Sequence, residues 1–127
     1  MKLELKGQIV HQSRTRACRS RMEDLEATLG TPSAAETARV AIFFGAVANR
    51  DLSIMDAIGV NMAKTLMAGH ELEWNRPFEP DEDVDITVTL DDVFDKDGKR
   101  FSILKAVYAT PDGEEIQTQR STFLMFL

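Results

Sequence analysis

From Val84 to Leu90 apolar and polar residues alternate strictly, Val84, Ile86, Val88 and Leu90 against Asp85, Thr87 and Thr89. That is the period of a strand with one face buried and one wet. Asp95-Lys96-Asp97-Gly98 follows, a turn whose glycine supplies a positive φ, and Phe101, Ile103 and Val107 carry the next strand. Pro111-Asp112-Gly113 is a second such turn, and Ile116–Leu127 is the last strand. Two consecutive hairpins of long strands make an antiparallel meander.

The first half reads differently. Between Arg14 and Leu29 the apolar residues Cys18, Met22, Leu25 and Leu29 step by four, three and four, one stripe of an amphipathic helix that Gly30 ends. Thr31-Pro32-Ser33-Ala34-Ala35-Glu36 then combines a first-turn proline with a Ser33…Glu36 capping box, which starts a second helix over Pro32–Ala48. Its body, Ala38 to Ala48, is apolar on nearly every side, so it is expected to be buried. At roughly fifteen residues it is shorter than the ~20 that span a hydrocarbon core. In Ser53–Ala68 two periods compete: Ile54, Ile58, Met62 and Leu66 keep a step of four, while Val60, Met62, Leu66, Ala68, Leu72 and Trp74 lie on alternate positions. The reading adopted is a short helix, then a strand over Gly69–Asn75, with a further strand at Leu3–Val10.

Composition narrows the function classes. The 127 residues suit one domain over 1–127, large enough to need no metal or disulfide staple. Twenty-one acidic against fifteen basic residues give a net charge of -6, which argues against a nucleic-acid partner. The single cysteine, Cys18, has no intrachain partner, and the opening Met-Lys-Leu-Glu-Leu-Lys-Gly is unlike a secretory leader, so a cytoplasmic protein without a membrane partner is expected. His11 and His70 stand alone, with no His/Cys pair at ligand spacing, so no metal and no cofactor is expected.

An antiparallel sheet with one apolar face must cover it, and the only cover apolar enough is the helix at Pro32–Ala48. The expected fold is therefore α+β, a sheet wrapped around a central apolar helix, the hot-dog arrangement. Specific residues add to this. His70-Glu71-Leu72-Glu73-Trp74-Asn75-Arg76-Pro77-Phe78-Glu79-Pro80-Asp81-Glu82-Asp83-Val84 resembles the strand and turn of MaoC-like hot-dog proteins, where an aromatic-rich strand runs into Arg-Pro and then a Pro-Gly-Asp turn. Here Asp81 stands at the usual Gly and Glu82 at the usual Asp. Asp112 to Thr122 is similar to the last hairpin of that group, above all its N-terminal or FAS1-type dehydratase half, and Thr31-Pro32-Ser33 is similar to the Ala-Pro-Pro-Thr that precedes its central helix. The likeness covers roughly positions 31 to 127.

The resemblance implies an acyl-CoA or acyl-carrier-protein thioester as partner, and hydration of a trans-2-enoyl group or dehydration of an (R)-3-hydroxyacyl group as chemistry. Catalytic members carry an Asp and a His five residues apart in a Gly-Asp-x-Asn-Pro-x-His type motif, a pair that shares one water and divides the two proton transfers. The nearest string here, Ala48-Asn49-Arg50-Asp51-Leu52-Ser53-Ile54, puts Asn49 at the acid and Ile54 at the base. An amide has no titratable proton near neutral pH and an isoleucine has no lone pair. The leading reading is thus a non-catalytic subunit, a homodimer or a heterodimer with a catalytic hot-dog subunit, in which unpaired sheet edges meet. The alternative is a stand-alone thioesterase or atypical enoyl-CoA hydratase using His70 or Glu36. A scaffold with no ligand is a third.

Each candidate residue has a plainer role beside it. On an apolar strand face with Leu72 and Trp74, His70 reads first as a hydrogen-bonded core histidine, and the capping box accounts for Glu36 without catalysis. Phe43, Phe44 and Val47 are candidates to line an acyl tunnel, or are ordinary core. Arg19 and Arg21, in the run Arg14/Arg16/Arg19/Arg21, are candidates to meet coenzyme A phosphates or an acidic carrier, or form a solvated helix face. The acidic run Glu79–Asp85 reads as a solvated turn.

Overall fold

Five strands hydrogen-bond into one antiparallel sheet in the order β1-β3-β4-β5-β2: β1 Ile9–Arg16, β2 Thr65–Trp74, β3 Asp83–Lys96, β4 Lys99–Ala109 and β5 Glu115–Phe126. The computed structural model describes residues 2–17, 19–20, 59, 61–76 and 78–127. The helix expected over Pro32–Ala48, most of the one at Arg14–Leu29 and the short helix after Ser53 lie outside the described residues.

The meander forms as its alternation predicts. Val84, Ile86, Val88 and Leu90 of β3 are buried on one face, here the inner face, with Leu104, Ala106 and Tyr108 of β4 opposite them. A bulge between Leu90 and Asp92 shifts the phase, so Val93 is the next inward residue. Asp97 (φ 53) and Gly98 (φ 72) form the two-residue loop between β3 and β4, whose left-handed backbone matches strand twist. Gly113 (φ 95) closes the turn before β5, with its N–H donating to the Thr110 carbonyl at 2.9 Å. Burying one such aliphatic side chain is worth about 1.5–3 kcal/mol against ~0–1 for a surface ion pair, so the inner face sets the register.

Three elements differ from the sequence reading. Leu3–Leu5 is a 3-10 turn, and the first strand starts only at Ile9, because Gly7 adopts a left-handed φ of 80 and anchors its N–H on the Leu90 carbonyl. Arg14–Arg16 are strand rather than helix: Arg14 lies opposite Asp85 and Arg16 opposite Asp83, with charges on the outer face and Ser13 and Thr15 on the inner. Their alternation is polar throughout, so no hydrophobic period marks it. Strand β2 begins at Thr65 rather than Gly69, since a bulge between Met67 and Gly69 moves Met67 into phase with His70, Leu72 and Trp74.

Candidate functional site

Apart from His11, Ser13 and Thr15 on β1 and Ser102 on β4, the polar residues of the inner face follow one line. On β5 the inward residues are Gln117, Gln119, Ser121 and then Phe123, and their partners on β2 are Trp74, Leu72, His70 and Met67. On β4 the same residues face Tyr108, Ala106, Leu104 and Ser102. This polar seam runs from an exposed edge inward: His70 is exposed, Ser121 half-buried, Gln119 4% and Gln117 1% exposed. Gln119 Nε2 donates to Gln117 Oε1 at 2.8 Å, while Gln117 Nε2 has no partner among the described residues. Phe78 meets Trp74 and Tyr108 edge-on with centroids 5.7 and 6.1 Å away, so three rings gather at the buried end. Ser102 Oγ, buried opposite Phe123, also lacks a partner there.

At the open end His70 Nδ1 and Ser121 Oγ are 3.0 Å apart. The core position expected for His70 is corrected: it shares a face with Leu72 and Trp74 as predicted, but β2 is an edge strand and leaves the ring in solvent. His11 Nε2 makes a similar 3.0 Å contact with Ser13 Oγ on β1, at the opposite edge. Neither imidazole forms an ion pair with a carboxylate among the described residues. In the sequence, Lys6 lies five residues before His11 and Thr65 five before His70.

The acidic run is more than a solvated turn. Arg76 donates from Nη1 and Nη2 to the two carboxylate oxygens of Glu82 and from Nε to Glu114 Oε1 at 2.5 Å. Glu82 is only 13% exposed on its side chain and Arg76 29%. Glu82 also accepts the Glu79 backbone N–H at 2.8 Å, so one carboxylate ties the end of β2 to the start of β3 while Arg76 reaches the β4–β5 turn. Paired with two carboxylates, the Arg76 guanidinium is held far above its ordinary value, chiefly by the Glu82 hydrogen bond. Asp81, at the usual glycine position, has a left-handed φ of 63 and accepts the Arg19 backbone N–H at 3.0 Å and its Nε at 3.3 Å. The backbone bond from Arg19 is the main cause that lowers the Asp81 carboxyl.

Of the predicted site residues, the structure places His70 on the seam and Arg19, its side chain exposed, in an ion pair with Asp81. Glu36, Phe43, Phe44, Val47 and Arg21 lie outside the described residues. The seam itself was not read from sequence. Its signal was present: Phe123 and Met125 fix the odd-numbered phase of β5 as inward, which puts Gln117 and Gln119 inside. No cluster of three metal-ligating side chains occurs among the described residues, and no helix there is long and apolar enough to cross a membrane.

The fold is shared with solved structures of a (3R)-hydroxyacyl-ACP dehydratase, a MaoC-like dehydratase and an R-hydratase. The chain belongs to the family described as FAS1-like, dehydratase domain region, whose sequence model matches residues 7–119. No curated protein matches it in sequence. Among solved structures it is similar to a chain of the C-terminally truncated HadBC (3R-hydroxyacyl-ACP dehydratase) complex of Mycobacterium tuberculosis, with 11% identity, a TM-score of 0.76, and coverage of 98% of this chain and 99% of that one. The MaoC-like dehydratase of Rhodospirillum rubrum gives 13% identity and a TM-score of 0.69 over 99% and 97%. The ChsH1–ChsH2 complex of Mycobacterium tuberculosis gives 12% and 0.60 over 92% and 85%. At these identities the likeness is one of fold.

Proposed function

We propose that the protein is a cytoplasmic, acyl-thioester-binding hot-dog subunit that contributes a chain-binding surface and leaves proton transfer to a partner carrying the Asp–His pair. The observation that carries this reading is the family membership combined with two histidines that both lack an aspartate five residues upstream. Two of the similar structures are complexes named for two components, HadBC and ChsH1–ChsH2, which supports a dimer with a second hot-dog unit. The proposed single domain over 1–127 would keep Phe43, Phe44 and Val47 as chain-lining candidates and Arg21 as a phosphate contact, with Arg19 held by Asp81.

The test uses purified protein with crotonyl-CoA and octanoyl-CoA, following enoyl absorbance, free thiol and melting temperature. The expected result is a raised Tm with octanoyl-CoA and no turnover of either thioester. Turnover by the chain alone overturns the subunit reading. The 3.0 Å contact between His70 and Ser121 favours one second reading, a thioesterase in which the imidazole takes a proton from the Ser121 hydroxyl or from water. Thiol release that His70→Gln abolishes would establish it.

A further inference from the structure

The polar seam on the inner face is out of place in a surface for a saturated chain. Every methylene buried against an apolar wall adds to binding. An amide hydrogen left unpaired inside opposes it, and methionine or leucine would fill the same volume without that cost. Yet β5 turns Gln117, Gln119 and Ser121 inward in succession. The pair at the deep end is also oriented. Because Gln119 Nε2 donates to Gln117 Oε1 at 2.8 Å, the Gln117 carbonyl is used and its amino group is the end without a partner among the described residues. What the buried end offers is a fixed donor beside Trp74 and Tyr108, at the end of a polar line about 13 Å long by strand rise, whose other end is the exposed His70.

We infer that this seam selects an acyl chain carrying an oxygen along its length, a ketone, hydroxyl or ether, whose lone pair accepts from Gln117 Nε2. The inference rests on the acyl-thioester reading and names the substrate class it takes. A donor without a partner among the described residues calls for an acceptor, and a saturated chain gives nothing to offset the amide's desolvation. Gln119 is a positioning residue, since it acts through the Gln117 carbonyl.

The probes are dodecanoyl-CoA and the three dodecanoyl-CoA ketones oxidised at the sixth, eighth or tenth carbon, titrated calorimetrically into the full chain. At least one ketone is expected to bind roughly three- to tenfold tighter than the saturated thioester, the worth of one buried hydrogen bond. Gln117→Met, which removes the seam's donor together with the acceptor of the Gln119 amide, should abolish the ketone preference. Gln119→Leu, which frees the Gln117 amide, should shrink the preference and serves as the second variant where Gln117→Met does not fold. Binding of dodecanoyl-CoA with no ketone preferred, or a preference that survives both substitutions, overturns the inference and leaves the acyl-thioester reading standing. Failure of all four thioesters to bind removes both.

Discussion

At the scale of single residues, the two departures from the usual Pro-Gly-Asp turn explain each other. A left-handed φ of 63 at position 81 suits glycine, and aspartate is among the few other residues that tolerate it. Aspartate adds what glycine lacks, a carboxylate that accepts two Arg19 donors. One residue further on, Glu82 has the extra methylene to receive both Arg76 donors and the Glu79 N–H. Glu82→Gln leaves Arg76 short of a charge partner in a half-buried site, and is expected to cost about 1–3 kcal/mol by urea denaturation. Arg14→Gln, which breaks the largely exposed pair with Asp85, should lower the urea midpoint only slightly and by less than Glu82→Gln does.

Among the elements, the central strands were legible because burial writes a period of two into apolar residues. Val84 to Leu90 and the Asp97-Gly98 loop needed nothing else. Beyond Val10 strand β1 is not legible, because its alternation is Arg14/Arg16 against Ser13/Thr15, a pattern decided by the Asp83 and Asp85 carboxylates across the ladder. The start of β2 was missed because a bulge after Met67 changes the phase within the strand. The same ladder governs response to acid. Hydrogen bonds from Arg14, Lys6 and Arg100 lower the carboxyls of Asp85, Asp92 and Asp95, and backbone and side-chain donors of Arg19 lower Asp81. A carboxyl whose folded value lies below its unfolded one stabilises the fold above the ordinary 3.8 and loses that contribution as pH falls through the folded value. Tm is therefore expected to be flat from pH 7 to about 5 and to fall below about pH 4. In the double variant Asp85→Asn with Asp95→Asn the fall should be shallower.

For the whole molecule, the sheet and the family were legible and the deep end of the site was not, because Gln117 and Gln119 look like surface residues until the inward phase of β5 is known. Edge strand β2 leaves Leu66 56% and Met67 59% exposed beside a row of backbone groups that no other described strand pairs. Such an edge invites a second chain. The purified protein is expected to sediment as a dimer or larger, and Leu66→Glu combined with Met67→Glu should shift it toward monomer at unchanged secondary structure. A monomer in the native protein would place association elsewhere.

The strand order also fixes a sequence in time. Neighbours β3, β4 and β5 are joined by tight turns, whereas β1 and β2, adjacent in the order of strands along the chain, sit on opposite borders of the sheet. Closing the short loops costs little entropy, and seating the two borders costs far more. Refolding is thus expected to nucleate in the meander, with transition-state φ-values above about 0.5 for Val88→Ala and Leu104→Ala and below about 0.3 for Val10→Ala and Leu72→Ala. The strand that bears His70 would then be among the last to arrive, so the Gln117–Ser121 line would form with the meander and gain its β2 neighbours only at the final step.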